Sequence, residues 1–241
     1  MKLSGLRDVI SFFTLIPLSG SVEGAADSIY LLPVVSLIVG AAPALARYYL
    51  KGILGSLFAS VASLVLIYLV TGILHLDGLT DFFDGLLAKG DRSEKLRVMK
   101  DPHIGAGGVI ALIFFYSLML ASTYEFDPRT LIAAYMFFVA SDMLGRASII
   151  GGLIGENYHE GLGSLFRGKF RKSHLMYYLL VSLILLPIVR MYYLLNFVGI
   201  AFGYLVYRVA VKSFGSSGGD VLGASAELGR LLGMMILCAL L

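Results

Sequence analysis

The sequence predicts an all-α, polytopic membrane protein. It should be a helical bundle of about seven transmembrane helices (six to eight), with the N-terminus in the cytoplasm. Three observations carry that expectation. The 241 residues are 58% hydrophobic and only 15% charged, whereas a soluble domain carries about 25% charged residues. The apolar runs are long enough for the ~20 residues of helix that cross a bilayer. In lipid, backbone polar groups must be satisfied within such runs, which favours helices.

Taken in order, the expected spans are 29–49, 53–75, 107–124, 130–153, 174–190, 194–211 and 227–241, the last one short. Segment 8–18, with Pro17, reads as a half-helix or an interfacial one. Lysine and arginine mark the cytoplasmic side of a membrane protein. Of the 19 present, only Arg47, Lys51, Arg129 and Arg190 fall in connections opposite the N-terminus, and Arg146 lies inside a span. The rest, Arg230 included, are assigned to the N-terminal side, which is therefore expected to be cytoplasmic. No soluble domain or internal repeat is evident, so residues 1–241 are expected to form one membrane-embedded domain. The stretch VISFFTLIPL is short and lacks a small-residue cleavage site, so it does not read as a cleavable signal.

Composition narrows the function. The net charge is +3 and no Lys/Arg tract is dense enough for nucleic acid. Cys238 is the sole cysteine, which rules out an intrachain disulfide and a cysteine-based metal site. It reads as a small packing residue.

The unusual polar residues gather on the N-terminal side. In LHLDGLTDFFDG, Asp77, Asp81 and Asp84 are spaced i, i+4, i+7 and share one helix face. Three carboxylates this close need protonation or a bound cation, and Mg²⁺ suits oxygen ligands shared with substrate phosphates. Gly78 and Gly85 suit a close approach by a ligand or another helix. In MKDPHIGAGG, Lys100 and Asp101 precede a proline turn, and Gly105, Gly107 and Gly108 open the next span. Helix N-terminal N–H groups bind anions, and Lys100 adds a point charge for phosphate. Asp101 could instead cap that span. Asp142 and Arg146 can pair within a helix, although an intramembrane charge is also a functional candidate. Glu156, His159 and Glu160 are further polar candidates, and Asp220 and Glu227 flank the last expected span. A metal and phosphate site at a membrane face points to phosphoryl chemistry.

The blocks LHLDGLTDFFDGLLA, MKDPHIGAGGVIAL, GRASII…YHEGLGSLF and GGDVLGASAEL, in that order, resemble the cobalamin synthase family. Its members are adenosylcobinamide-GDP ribazoletransferases, and the likeness extends to FFTLIP and LLPVVSLIVG near the start. The resemblance implies a Mg²⁺-dependent membrane transferase acting on adenosylcobinamide-GDP and α-ribazole or its 5′-phosphate. It implies that Asp77, Asp81, Asp84 and Asp101 hold metal, and that Asp101, Asp84 and Lys100 are catalytic. The expected substrate and phosphate set is Arg97, Lys100, His103, Gly105, Gly108, Arg146 and Asp220. The chain departs from the family pattern at Leu15, where members usually carry arginine, and at Gly218, where many carry threonine.

Two other readings are weaker. A CDP-alcohol phosphotransferase would share the Asp81-Phe-Phe-Asp84-Gly85 opening, but its following Ala-Arg and D-x-x-x-D are missing. A cation transporter would place its acids in broken helices near the bilayer midplane, and here they cluster at one end.

Overall fold

The computed structural model describes residues 3–185 and 190–240. Among these the chain is helical and has no named strand. Five helical runs are long and apolar enough to cross a membrane: Ile29–Thr71, Ala106–Glu125, Leu131–Leu153, Tyr192–Phe214 and Gly219–Leu240. The protein is therefore read as a membrane protein.

The first run contains 43 residues. Built straight, it would extend about 65 Å, twice the apolar thickness of a bilayer. It folds back instead. It comprises α3 (Leu32–Val39), α4 (Ala41–Leu45), a π turn (Ala46–Leu50) and α5 (Lys51–Thr71). Inside α5, Gly55 takes φ +82°, which L side chains rarely adopt. Past that reversal Ser63 Oγ donates to the Pro43 carbonyl at 2.9 Å, so the two arms lie side by side. The expected break between spans 29–49 and 53–75 thus falls at Gly55, inside α5.

Ahead of this hairpin come α1 (Leu3–Phe13) and α2 (Val22–Asp27), tied together by the Ser21 N–H donating to Asp8 Oδ1. After it come α6 (Leu74–Leu87), α7 (Arg92–Met99) and α8 (Ala106–Glu125). Then follow α9 (Leu131–Leu153), α10 (Leu162–Lys169), α11 (Lys172–Ile184), α12 (Leu195–Phe214) and α13 (Gly219–Leu240). The seven expected spans are not all matched by long apolar helices. The expected span 174–190 corresponds to the 13-residue α11, and residues 186–189 lie outside the described residues. The last helix starts at Gly219, eight residues before the expected start.

Helix α9 is the axis of the bundle, buried along its apolar length. Small residues let its neighbours approach the backbone. A Cβ on Gly145 or Gly199 would lie 2.5 Å from the carbonyl oxygen of Ala226 or Leu144, respectively. Such close approach is the usual currency of helix packing in lipid, where apolar side chains gain nothing by leaving one hydrocarbon for another. The outer faces stay apolar and exposed, as with Ile110, Ile113, Phe114 and Leu118 on α8.

Polar residues in this core form one ion network. Asp142 on α9 accepts from Arg146 Nε at 3.1 Å and from Arg230 Nη2 at 2.8 Å. Arg230 also donates to Glu227 at 2.6 Å, and Glu227 accepts from the Tyr68 hydroxyl at 2.9 Å. Arg230 was assigned to the N-terminal-side connections; instead it is buried in α13 and 2% exposed. Glu227 likewise lies within that helix, 1% exposed, and does not flank it. Their i, i+3 spacing on one helix face, next to an acid on α9, draws both inside. Arg47 was also expected in a connection. It is buried, and its guanidinium donates to the Thr123, Tyr124 and Phe126 carbonyls at the C-terminal end of α8. Those carbonyls lack partners within their own helix, which makes a cation there favourable.

Replacing one member of a buried charge pair strands the other. Arg230→Met in the detergent-purified chain should lower stability by ~3–5 kcal/mol, read as a large fall in the thermal unfolding midpoint. An unchanged midpoint would show that no buried charge is stranded when Arg230 is removed, which would overturn the network as described.

Candidate active site

Helix α6 carries Asp77, Asp81 and Asp84 in one continuous helix, as their spacing predicts, but the three carboxylates have different surroundings. Asp84 is buried, and its two oxygens accept from the Gly105 N–H at 2.7 Å and the Gly108 N–H at 2.8 Å. It therefore caps α8 from a neighbouring helix, satisfying donors that the helix start leaves open. The glycines explain the fit: a Cβ at Gly108 would sit 2.6 Å from Asp84 Oδ2, and one at Gly107 3.1 Å from the Phe83 carbonyl. The N–H groups of Gly105 and Gly108, expected to cradle phosphate, are thus already engaged by the chain's own carboxylate.

Asp77 is exposed and Asp81 half-buried. Gly78 lies between them, and a Cβ there would come within 2.9 Å of the Asp220 backbone. That close approach brings the first turn of α13, with Asp220, onto the acid face of α6. Burial, followed by the charges of Asp77, Asp220 and Asp84, pushes the Asp81 carboxyl up to about 7. The acid group at this end of the bundle is thus Asp77, Asp81 and Asp220, with Asp84 turned away to α8.

Lys100 ends α7 and is exposed. Its charge acts on both Asp220 and His159. The loop after α9 carries His159, whose Nδ1 lies 3.1 Å from Ser216 Oγ. Backbone bonds tie this loop to the turn before α13: the His159 N–H donates to the Ser217 carbonyl and the Ser217 N–H to the Asn157 carbonyl. A Cβ at Gly218 would collide with the His159 ring, so glycine there lets the imidazole lie on the turn. Burial first, then Lys100, lowers the His159 pKa and favours the neutral ring. Glu156 and Glu160 are exposed.

The other expected residues have partners of their own. Asp101 is exposed and does not cap α8, whose cap position is Gly105. Its Oδ1 accepts from the His103 N–H at 2.9 Å and faces the His103 ring at 2.8 Å. These contacts hold its carboxyl below the usual range. Arg97 is paired with Glu94 on the surface of α7 at 2.7 Å. Arg146 is 1% exposed and is paired with Asp142 in the buried network.

Sequence reasoning missed the pocket beside the acids. Phe12, Phe13, His75, Phe166 and Asp220 line it. The one available signal was His75, two residues before Asp77 in an otherwise apolar stretch.

Among the described residues, no three histidine, cysteine or acidic side chains are gathered so as to hold a metal ion by themselves. The donor chemistry still fits a hard cation. The acids offer only oxygens, and Asp81 carries an unrelieved charge conflict. Mg²⁺ commonly takes one or two carboxylates and completes its shell with water and substrate phosphates.

The whole chain, read against known proteins, decides its family. It matches the family described as cobalamin-5-phosphate synthase over residues 5–238. The chain belongs to that family. Three relatives carry the name adenosylcobinamide-GDP ribazoletransferase. The protein of Methanocella arvoryzae is 30% identical over 99% of this chain and 97% of its own. That of Thermococcus kodakarensis is 32% identical over 98% of each, and that of Pyrococcus abyssi 33% over 96% and 97%. No solved structure matches the chain. Members of the cobalamin-5-phosphate synthase family are enzymes, so the acid cluster belongs to a transferase of cobalamin assembly.

The Asp81 titration is testable. Its folded pKa of about 7 lies above the ~3.9 of an unfolded aspartate. A raised carboxyl pKa contributes stability at low pH that is lost as the pH rises through the folded value. With divalent cations chelated, the unfolding midpoint should therefore fall as the pH rises from about 4 through 7. Asp81→Asn should flatten that slope, and an equal slope in both proteins would remove Asp81 as its source.

Proposed function

We propose that this enzyme joins adenosylcobinamide-GDP to α-ribazole, or to its 5′-phosphate, with Mg²⁺, at the cytoplasmic face of the cell membrane. The products are adenosylcobalamin, or its 5′-phosphate, and GMP. The observation that carries the reading is the meeting of Asp77 and Asp81 on α6 with Asp220 on α13 and Lys100 on α7, in a chain of this family.

In the reaction, the ribazole hydroxyl oxygen attacks the phosphorus on the cobinamide side of the diphosphate. The new P–O bond forms as the bond to the bridging oxygen breaks, and GMP departs with that oxygen. Mg²⁺, held by Asp77 and Asp81, would neutralise phosphate charge and stabilise the leaving group. Lys100 is placed to meet phosphate oxygens as a point charge. The attacking hydroxyl must lose its proton to a base, and the exposed Asp101 carboxylate, oriented by His103, is assigned that step. Asp84 holds the start of α8, and with it the Lys100–Gly105 turn, against α6.

Incubating the purified chain with labelled adenosylcobinamide-GDP, α-ribazole and Mg²⁺ should yield labelled cobalamin and GMP. Asp77→Asn, Asp81→Asn and Asp101→Asn should each lose at least a hundredfold in turnover, with Asp77→Asn and Asp101→Asn unfolding near the wild-type midpoint. Near-normal turnover in both Asp101→Asn and Asp101→Ser would remove Asp101 from the chemistry.

Orientation has its own check. A cysteine at Ser173, on the side of the acids, should resist an impermeant thiol reagent in intact cells. One at Gly52, which has open space around it, should react once Cys238 is replaced. The opposite labelling pattern would invert the orientation.

A further inference from the structure

A pocket of about 70 Å³, partly open to solvent, lies between the ends of α1, α6, α10 and α13. Its walls are aromatic. Phe12 lies 4.9 Å from Phe13 and 5.1 Å from Phe166 between ring centroids, and Phe13 lies 5.6 Å from the His75 imidazole. Asp220 stands among the lining residues and is the link to the acids of α6. Behind the pocket wall, the Arg146 guanidinium lies 5.2 Å from the centroid of Phe13. Its Nε is engaged by Asp142, whereas Nη1 and Nη2 have no acceptor among the described residues. Buried donors without partners cost free energy, so this arginine has hydrogen-bonding capacity to spare next to the pocket.

We propose that this pocket receives the heteroaromatic base of the nucleoside acceptor, so that the attached ribose reaches the acid cluster past Asp220. The proposal rests on the ribazole-transfer reading and names the subsite for one of its two substrates. One feature favours a planar heterocycle over a lipid chain. Aromatic rings bind another ring through offset or edge-to-face contacts that an acyl chain does not make. The polarity gradient is right as well. The pocket is apolar along Phe13, Ile149 and Leu222 and acidic only at Asp220, so a ring would lie inside with its sugar outward.

The walls are held independently of any ligand. Asp8 of α1 is tied to the Ser21 N–H at 2.9 Å, and the Leu15 N–H donates to the Val70 carbonyl at 2.7 Å, which fixes the α1 end that carries Phe12 and Phe13. On the opposite wall, the turn Gly218–Gly219 packs so closely on Gly163 that a Cβ there would lie 2.5 Å from the Gly218 carbonyl carbon.

The chain has no tryptophan, so Leu162→Trp places a sole reporter at the pocket mouth. Its fluorescence should change saturably on titration with benzimidazole as the probe. Benzimidazole should compete with α-ribazole and not with adenosylcobinamide-GDP. Phe166→Leu and Phe13→Leu, which keep apolar bulk and lose the ring face, should each raise KM for α-ribazole at least fivefold. KM for adenosylcobinamide-GDP should stay within twofold. If both variants fold, turn over and keep the wild-type KM for α-ribazole, the pocket proposal is overturned while the transfer reaction stands. Competition with adenosylcobinamide-GDP would also overturn it. Should the unmodified chain show no ribazole transfer at all, the reaction reading fails. The fluorescence titration then decides the pocket alone: saturation supports a heterocycle site, and no change overturns it.

Discussion

The carboxylate of Asp142 holds the bundle together, because it accepts from guanidinium groups on two helices. Arg146 reaches it from its own helix and Arg230 from α13. With Glu227 the four charges balance, which is the condition for burying them at membrane depth. A buried ion network adds little net stability compared with apolar packing, but its geometry is demanding. Here that geometry sets the register of α13 against α9. The same register carries Asp220, at the start of α13, to the place where Gly78 lets it meet α6. The acid cluster is therefore assembled from charges buried farther along the same helix.

The three aspartates of α6 show how one helix face can serve two purposes. Asp84 answers the unsatisfied N–H groups of α8, a structural task that consumes both of its oxygens. By doing so it fixes the turn that carries Lys100 and Asp101. Asp81 and Asp77 are left facing Asp220, and their mutual repulsion is not relieved inside the protein. Such unresolved charge is unfavourable for a folded chain and useful for a site that gathers a cation and phosphates.

Much of this was legible in the residues. Period and composition indicate a helical membrane protein, and the i, i+4, i+7 spacing puts the acids on one helix. The glycines at 78 and 85 were read correctly as points of close approach, against Asp220 and against Met99 and the Lys95 carbonyl. The pairing of Asp142 with Arg146 was also visible as an i, i+4 spacing. What was not legible depends on contacts between distant segments. The i, i+3 spacing of Glu227 and Arg230 gives no hint that Asp142, 88 residues away from Arg230, accepts from it. Nor does MKDPHIGAGG reveal that its glycine N–H groups are occupied from 21 and 24 residues upstream. Charge counting by connection also misplaced Arg47 and Arg230, because it assumes that a cation near a helix end is solvated. Both instead found buried acceptors, one in carbonyls and the other in carboxylates.

The placement of the site at the end of the bundle suits the proposed reaction. Phosphate and a hydrated cation are excluded from hydrocarbon, so Asp77 and Lys100 stand exposed where water reaches them. An aromatic ring is not excluded, and the pocket beside them descends past Phe13 to Ile149 and Leu222 on the buried helices. Helix α6 lies along this boundary, with His75 in the pocket and Asp77 outside it, separated by Leu76. Half a turn of helix thus separates apolar from ionic chemistry. A substrate with an apolar ring at one end and a reactive hydroxyl at the other would match that step, and a wholly charged or a wholly apolar one would not.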